Sequence, residues 1–311
     1  MIAALTVALL VQAAPAEARH RVDTTLTVPA RARLDLTNAR GSVTIGRWAR
    51  PELRIEARHL GPDSILIKRS RSVVTVLATS HHDTDRFEAG TDTSVVRIIT
   101  KPRPFRQPTI VDYTITAPEG LAITLSGNAV DVAIVDISGP LDVATLTGTV
   151  RVTNARGSLT LQTMNGRIEV AGGSGRLFAR ALRGSAAIRD FAGDVDAQVL
   201  GGTLDLHGIV GDQVRGISLG GSITLAGPLS ANGHYSLSTQ RGTVAVTLDQ
   251  DANATVDLAA SGDPVLCEGI TESPRPSTSW RRFTLGAGSA LIEVDSFAGT
   301  VRLCRAAAKT P

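Results

Sequence analysis

The chain has 311 residues, of which 42% are hydrophobic and 3% are aromatic, and its formal net charge is +3 at pH 7. The apolar content is sufficient for a packed core, and the few aromatic residues exclude an outer-membrane barrel, which carries aromatic girdles at both interfaces. The positive charge is almost all arginine, interleaved with aspartate and glutamate. This pattern indicates a solvated mixed-charge surface rather than a nucleic-acid interface.

The first residues have the pattern of a secretory signal peptide. A short apolar run over 2–11 is followed by the small residues Ala14-Pro15-Ala16, which form a typical cleavage pattern. We therefore expect a signal peptide over 1–18 and an exported mature chain that is periplasmic, bound to the cell envelope or secreted. The apolar run is too short to span a bilayer, so no transmembrane anchor is expected. The alternative is that this run forms a buried first strand.

The region 24–120 is predicted to hold the N-terminal strands and a capping sheet. Its first strands surround the corner Thr37-Asn38-Ala39-Arg40-Gly41-Ser42, and later strand candidates are separated by polar loops, a spacing typical of antiparallel sheets. A cap is expected because an open end of stacked strands exposes apolar surface and unpaired strand edges. The loop Ser80–Thr93 is polar and carries His81 and His82.

The region 121–260 contains an internal repeat of nine residues. Each unit reads Gly-x-Φ-x-Φ, where Φ is mostly aliphatic, and this alternation predicts a half-buried strand. Glycine is expected to supply a positive φ at the corner between strands. Units this short cannot bury an apolar face alone and have to stack. The glycines that define the period are Gly139, Gly148, Gly157, Gly166, Gly175, Gly184, Gly193, Gly202, Gly211 and Gly220.

Two architectures fit this period. An antiparallel meander would form one long sheet with a single apolar face and nothing to cover it. A parallel β-solenoid encloses its own core, so the repeat favours a solenoid, with either two or three units in each coil. Beyond Gly220 the glycine spacing shifts by one residue, and further units begin at Gly221, Gly233 and Gly242. The next unit along the chain carries Val256 and Leu258.

The rhythm of these units also resembles a known family. The segments Leu34–Gly46, Gly148–Leu161 and Gly242–Leu248 carry Asn-x-x-Gly-Ser-Val-Thr-Ile and Gly-x-Val-x-Val patterns behind the expected signal peptide. This pattern, over about 24–304, resembles the DUF4097 family of bacterial proteins thought to be adhesins. The resemblance implies a right-handed parallel β-solenoid (β-helix) in an exported protein whose activity is not established.

The C-terminal part is predicted to consist of a loop insertion over 261–287 and closing strands over 288–304. The chain has two cysteines, Cys267 and Cys304, and in an exported protein two cysteines most simply form a disulfide. Such a bond would hold the insertion against the last strand. The alternative is a pair of free buried thiols.

Two short motifs suggest chemistry that the rest of the chain does not support. Gly216-Ile217-Ser218-Leu219-Gly220 matches the nucleophile elbow of hydrolases, but that motif needs a following helix, whereas here a strand repeat continues. Nonapeptide repeats also form calcium-binding β-rolls, but no register of these units places a regular aspartate at the turns. We therefore expect neither a hydrolase nor a calcium-binding array.

Histidine and aspartate residues provide the remaining candidates. His81 and His82 precede two aspartates and could bind a divalent metal, although a solvated polar loop is the more usual outcome; no metal or cofactor is predicted. Paired carboxylates on stacked strands would suit a polysaccharide-active enzyme, and aromatic platforms would suit sugar binding. The carboxylates in question are Asp194, Asp196 and Asp205, and the aromatic residues are Phe178, Phe191 and Tyr235.

The sequence favours a non-enzymatic exported protein that acts as a scaffold, an adhesin-like rod or a protein-binding surface at the cell envelope. Its partner would be an envelope protein or a glycan rather than a nucleic acid. Contact residues are expected in the irregular parts, with Trp280 and Arg281 in Ser273–Arg282 and with His81 and His82. The alternatives are a polysaccharide-active enzyme on the same scaffold and a cytoplasmic polymer-forming solenoid, which the signal peptide argues against.

Overall fold

A computed structural model describes residues 19–29, 31–60, 64–69, 73–79, 110–267, 269–274 and 280–306. Within these ranges 74% of the residues lie in strands and none lies in a helix, which confirms the all-β prediction. The predicted signal peptide and the loop Ser80–Thr93 lie outside the described residues. The strands in chain order are β1 (Arg19–Thr27), β2 (Arg33–Arg47), β3 (Glu52–Leu60), β4 (Ser64–Arg69), β5 (Val73–Thr79), β6 (Val111–Ala117), β7 (Ala122–Val135), β8 (Leu141–Arg189), β9 (Ala192–Gly201), β10 (Leu204–His207), β11 (Gln213–Ser218), β12 (Ile223–Gly227), β13 (His234–Thr239), β14 (Thr243–Leu248), β15 (Ala254–Ala260), β16 (Val265–Leu266), β17 (Glu272–Ser273), β18 (Arg281–Leu285), β19 (Ala290–Ser296) and β20 (Thr300–Arg305).

The repeat region pairs in parallel at a constant offset. Ile123 pairs with Leu141, and Ala186 pairs with Leu204, so each strand lies beside the strand two nine-residue units further along the chain. The units therefore alternate between two stacks of strands. The first stack contains Leu141, Leu159, Leu177 and Val195, and the second stack contains Val150, Ile168, Ala186 and Leu204. One coil of the chain is one strand from each stack, and these parallel pairs exclude the meander here.

The side chains of each strand alternate between the core and solvent. In the first turn of β8, Leu141 and Val143 are buried while Asp142 between them is exposed, and Val150 and Val152 repeat the pattern in the second stack. Each aliphatic side chain that is fully buried in this way contributes about 1.5–3 kcal/mol relative to an exposed one. The core is a continuous column of such side chains between the two stacks.

The periodic glycines lie where backbones of successive coils come closest. A Cβ atom at Gly202 would overlap the carbonyl oxygen of Gly184, and one at Gly221 would overlap the carbonyl oxygen of Gly202. Gly184 has a positive φ of 151°, but Gly166 and Gly202 do not have φ in that region. The expectation that the glycines serve to supply positive φ is therefore only part of the explanation, because the shared requirement is the close backbone contact.

A column of buried side chains, most of them small and polar but with Ala181 and Val199 among them, lines the corner from the first stack to the second. Each member stands three residues before a glycine of the second stack, and the Gly221 backbone N–H donates to Ser218 Oγ at 3.0 Å. Apart from His59, all the buried polar residues described belong to this column. They are Asn38, Thr145, Thr163, Ser218, Thr239 and Ser296. Small side chains are required there because the chain turns tightly.

Antiparallel strands occur at the N-terminal end of both stacks. β3 pairs antiparallel with β1 and β6, and β6 pairs in parallel with the second half of β2. At the first stack β5 pairs in parallel with the first half of β2 and antiparallel with β4. These strands cover the edges of β2, the first strand in the regular parallel array.

The C-terminal coils are stacked out of chain order. β19 lies between β13 and β15, and β20 lies between β14 and β16. The Val256 and Leu258 unit, which follows the Gly242 unit in the sequence, is therefore separated from the coil at 234–248 by an inserted coil. Residues 290–305 form a coil that inserts between the coil at 234–248 and the coil at 254–266, because a parallel neighbour fits the same register from either coil.

The segment 261–287, expected to be a loop, includes short strands. β18 pairs antiparallel with β15 and with β17, and buries Phe283 and Leu285. The alternation Arg-Arg-Phe-Thr-Leu was available in the sequence, but the neighbouring proline and serine residues masked it. Asp257 lies opposite Arg282, whose guanidinium donates to both carboxylate oxygens at 2.7 and 2.6 Å. These contacts cap the C-terminal end of the first stack.

Cys267 and Cys304 form a disulfide, as predicted, and free thiols are excluded. Cys304 belongs to the inserted coil, and Cys267 follows β16 in the coil outside it. The Cys267 backbone N–H also donates to the Leu303 carbonyl at 3.1 Å. The bond therefore joins the inserted coil to its outer neighbour at the end of the second stack, where strand pairing is limited to two residues.

The two tyrosines of the chain are both buried but differ in their hydroxyl contacts. Tyr113 has no hydrogen-bond partner for its hydroxyl among the described residues, and burial raises its pKa well above the usual value. The Tyr235 hydroxyl donates to the Ile209 carbonyl at 3.1 Å and accepts from the Ser230 N–H at 2.8 Å. Burial also raises the pKa of Tyr235.

Replacing Gly202 with alanine should destabilise the fold, whereas replacing its neighbour Gly201 should not. The added Cβ at Gly202 meets the backbone of Gly184, and nothing lies within 4 Å of a Cβ at Gly201. We expect Gly202→Ala to lower the free energy of unfolding by about 1–3 kcal/mol and Gly201→Ala to leave it unchanged or raise it by up to about 1 kcal/mol. Denaturant unfolding of both variants measures the difference, and equal losses would contradict the close-contact explanation.

Removing the disulfide should weaken the C-terminal end. The bond joins residues separated by 37 positions, for which the chain-entropy account gives about 3–4 kcal/mol. We expect the Cys267→Ala/Cys304→Ala double variant to unfold at lower guanidinium concentration than the oxidised wild type. Added reductant should bring the wild type to the same midpoint and leave the double variant unaffected. An unfolding midpoint of the wild type that does not change on addition of reductant would contradict a stabilising disulfide.

The raised pKa values of the two tyrosines predict how the stability of the fold changes at alkaline pH. Because both pKa values are raised in the folded state, their contribution to stability is complete below about pH 10 and is lost as the pH rises further. Phenolate absorbance should therefore appear together with unfolding. At neutral pH, Tyr113→Phe should change the free energy of unfolding little, and Tyr235→Phe should lower it by about 1–2 kcal/mol. Phenolate that forms near pH 10 without loss of β-structure would contradict the buried placement.

Candidate functional site

The corner from the first stack to the second carries a line of apolar side chains, all but one of which are exposed. Each stands two residues before a glycine of the second stack, immediately after the buried polar column. We name this line the ridge. Its members are Leu146, Met164, Leu182, Leu200, Leu219 and Phe297, with Gln240 between the last two.

The backbone pairing places these residues in successive coils. Gly220 N donates to the Leu200 carbonyl, and Arg241 N donates to the Leu219 carbonyl. Ala298 N donates to the Gln240 carbonyl, so the inserted coil continues the ridge. Six strand spacings of about 4.8 Å separate the first and last members, which gives a length of about 29 Å.

The exposure of the ridge is high for apolar side chains at five of its six apolar members, and Leu182 is half-buried. Leu146, Met164, Leu200 and Leu219 have 43%, 45%, 39% and 40% of their surface exposed, and Phe297 has 78%. Their outward direction follows from the alternation, since the preceding residue of each points into the core. A single exposed leucine is ordinary, but an aligned series on a monomer surface indicates a contact surface.

The charges beside the ridge are mainly positive. Arg180, Arg183 and Arg241 flank it, are exposed, and form no ion pair with another described residue. The remaining neighbours are mostly uncharged, such as Gln198, and the acidic exception is Asp295 beside Phe297. The ridge is therefore an apolar line with a basic margin over most of its length.

Several charges elsewhere on the outer faces are paired between adjacent strands. Arg151 Nη2 lies 2.7 Å from Glu169 Oε2, one coil further along the chain. At the N-terminal end Arg54 pairs with Asp23 at 2.8 Å, and its hydrogen bond lowers the pKa of the Asp23 carboxyl. The exposed Arg156, Arg189 and Arg215 also form no ion pair with a described residue, so the arginines beside the ridge are distinguished by the apolar line next to them.

The opposite corner, from the second stack to the first, has different chemistry. Asp136, Asn154 and Asp190 occupy it with positive φ values of 57°, 53° and 53°, a conformation that asparagine and aspartate tolerate best after glycine. Asn154 Nδ2 donates to Asp136 Oδ1 at 3.2 Å. Arg47 and Arg156 border a shallow polar cleft of about 470 Å³ there. This corner is polar, so the aligned apolar series is a property of the ridge.

The residues predicted as contact anchors have mixed outcomes. Trp280 is half-buried and immediately precedes β18. Arg281 donates to Glu272 and lies 2.9 Å from Asp263, and the hydrogen bond to Glu272 raises the pKa of its guanidinium. Its charge is thus used inside the C-terminal cap. His81 and His82 lie outside the described residues.

The candidate carboxylates are not brought together as one group. Asp194 and Asp196 lie in β9 of the first stack, and Asp205 lies in β10 of the second. Asp194 accepts from the Gln213 backbone N–H at 3.3 Å, and Asp196 accepts from Gln198 at 3.1 Å. Asp194 and Asp196 therefore accept from different partners in the first stack, and Asp205 lies apart from them in the second.

The other candidates for chemistry are structural residues. Ser218 of the hydrolase-like motif is fully buried and accepts a hydrogen bond from Gly221, so it is not presented to a substrate. Phe191 and Tyr235 are in the core, and Phe178 is half-buried on an outer face. Among the described residues, no group of three or more histidine, cysteine, aspartate or glutamate side chains could hold a metal ion.

The ridge is the feature that analysis of the sequence missed. An apolar residue stands two positions before nearly every periodic glycine, but it is exposed in alternate units, as at Leu200, and buried in the units between them, as at Phe191. To recognise the ridge from the sequence, one must know that two units form one coil, since alternate units otherwise appear equivalent.

Within the described residues no helix is long and apolar enough to cross a membrane.

Comparisons with known proteins give no family. No family model matches the chain, and no curated protein matches it. Among solved structures, a protein provisionally described as a cell adhesion protein, from Clostridium sporogenes, is 10% identical, with 92% of this chain and 100% of that chain covered and a TM-score of 0.24. One from Bacteroides fragilis, provisionally described as an adhesin, is 12% identical, covers 92% and 98%, and has a TM-score of 0.35. Another such adhesin, from Parabacteroides merdae, is 12% identical, covers 91% and 95%, and has a TM-score of 0.33. TM-scores this low carry no argument about this chain.

Proposed function

We propose that this chain is a non-enzymatic, exported β-solenoid that uses the ridge as a contact surface at the cell envelope. Parallel pairing at a constant two-unit offset supports the solenoid, and the proposal includes the right-handed winding and the DUF4097 membership that the sequence rhythm suggests. A structure of this kind is suited to a scaffold or adhesin-like role, because aligned equivalent positions give repeated contacts along one line.

The ridge is the observation that carries this proposal. Apolar side chains at equivalent positions of successive coils stay outside the core, which is already filled by the inward side chains. Their exposure is unfavourable in water and becomes favourable when a partner covers them. The expected contact through Trp280 is secondary in this proposal, and Arg281 supports the cap instead.

Two further features support export. The disulfide Cys267–Cys304 is the form that cysteines take in oxidising compartments. The apolar run before Ala14-Pro15-Ala16 has the pattern of a signal peptide. The proposed organisation is a signal peptide over 1–18, capping strands over 24–120, the repeat array over 121–260, the insertion over 261–287 and closing strands over 288–304.

A photocrosslinking amino acid at the ridge tests the contact surface. Leu200 and Val135 are 39% and 40% exposed, so Val135 is a matched control on an outer face away from the ridge. In cells expressing the full chain, the crosslinker at Leu200 should give adducts in the envelope fraction, and at Val135 it should give few. Equal adducts at the two positions, or none at Leu200, would refute the ridge as the contact surface.

The same cultures test the compartment. Mass spectrometry of the envelope and secreted fractions should find a mature N-terminus near Glu17. A full-length chain that stays in the cytoplasmic fraction would refute export.

A further inference from the structure

We propose that the ridge docks onto the surface of an anionic lipid bilayer. This inference deepens the proposed function, on which it rests, by naming the chemistry of the partner. It follows from three properties of the ridge: its shape, its flanking charge and its length.

The shape of the ridge favours a partner whose surface can deform around it. The ridge follows a turn of the chain and is a narrow edge over most of its length, whereas at its N-terminal end Leu146 and Met164 border a shallow cavity of about 310 Å³. Two copies that met at this edge would touch along a line and bury far less than the roughly 800 Å² per partner of a stable protein interface. A fluid bilayer surface needs no preformed groove, because lipids rearrange around side chains that enter the boundary between headgroups and acyl chains.

The arginines beside the ridge favour a partner with an anionic surface. Arg180, Arg183 and Arg241 lie beside Leu182, Leu200 and Leu219, and none pairs with a described carboxylate. In a pair of copies these arginines would repel one another. Beside a bilayer they can reach phosphate groups while their aliphatic stems stay with the apolar line, and each basic residue near an anionic surface strengthens binding severalfold.

The length fits a lateral contact. A line of about 29 Å lying in the plane of the interface brings the exposed ridge side chains to the bilayer together. Interfacial segments enter the headgroup region by about 5–10 Å, which leucine, methionine and phenylalanine side chains reach while the strand backbones stay outside. The backbones then keep their hydrogen bonds in the stacks, so docking requires no change of fold.

Sedimentation with lipid vesicles tests the proposal. The protein is mixed with vesicles of phosphatidylcholine alone or of phosphatidylcholine with about one third phosphatidylglycerol. We expect binding to the mixed vesicles to be at least about tenfold stronger than to the neutral ones. Raised salt should weaken this binding without abolishing it, because the apolar contribution is not screened.

Two variants separate the apolar and the basic contributions. Met164→Gln/Leu200→Gln/Leu219→Gln should weaken binding to mixed vesicles by about tenfold or more, and Arg183→Gln/Arg241→Gln should do the same. Val135→Gln/Val210→Gln changes two residues of matched exposure, 40% and 43%, and Arg156→Gln/Arg189→Gln removes two exposed arginines away from the ridge. Both controls should bind as the wild type does. Unfolding curves establish that every variant is folded.

Absence of binding to the mixed vesicles would overturn the lipid proposal, as would a ridge variant that binds like the wild type. If vesicles do not bind but the Leu200 crosslinker still captures an envelope protein, a protein partner replaces the lipid and the proposed function stands. If the wild type sediments as a dimer that the ridge variant loses, a second copy occupies the ridge and the lipid proposal is wrong. If vesicles bind as expected but the chain is found in the cytoplasm, the proposed function fails independently.

Discussion

The contact between glycine backbones of successive coils is the constraint on which the rest of the structure depends. A Cβ at most of the periodic glycines would overlap a carbonyl oxygen one coil away, so the corners approach closely only if no side chain is present. That approach keeps the strands at hydrogen-bonding distance through each turn. Equivalent residues are therefore brought into straight columns, and every column becomes a surface with one repeated chemistry.

The columns explain why the two edges differ. One corner places small polar residues inside and apolar residues outside, and the other places asparagine, aspartate and glycine in the left-handed conformation outside with Ile137, Phe191 and Ile209 buried next to them. The glycines fix only the register of the strands, and they do not require either of these two arrangements of side chains. The choice of side chain in each column is free to serve contact with partners, which is why the exposed apolar column is informative about function.

Much of the fold could be predicted from the sequence, because the period of glycine and the alternation of aliphatic residues act locally. The pairing of the cysteines followed from their number and the expected compartment. Longer-range features could not be predicted in this way. The hexapeptide Thr-Asn-Ala-Arg-Gly-Ser occurs twice, yet Asn38 is buried and donates to the Val111 carbonyl, whereas Asn154 is exposed at the opposite corner. Identical local sequence adopted different roles because the neighbouring coil differs, and the ridge was hidden for the same reason.

The coil at 290–305 has a consequence for how the molecule is made. In an ordinary repeat array the last segment synthesised forms the end of the array, and a chain cut short there simply has one unit fewer. Here the coil at 290–305 is synthesised after the coil at 254–266 but lies between it and the coil at 234–248. A nascent chain therefore has an empty level with exposed strand edges on both sides until residue 305 has emerged.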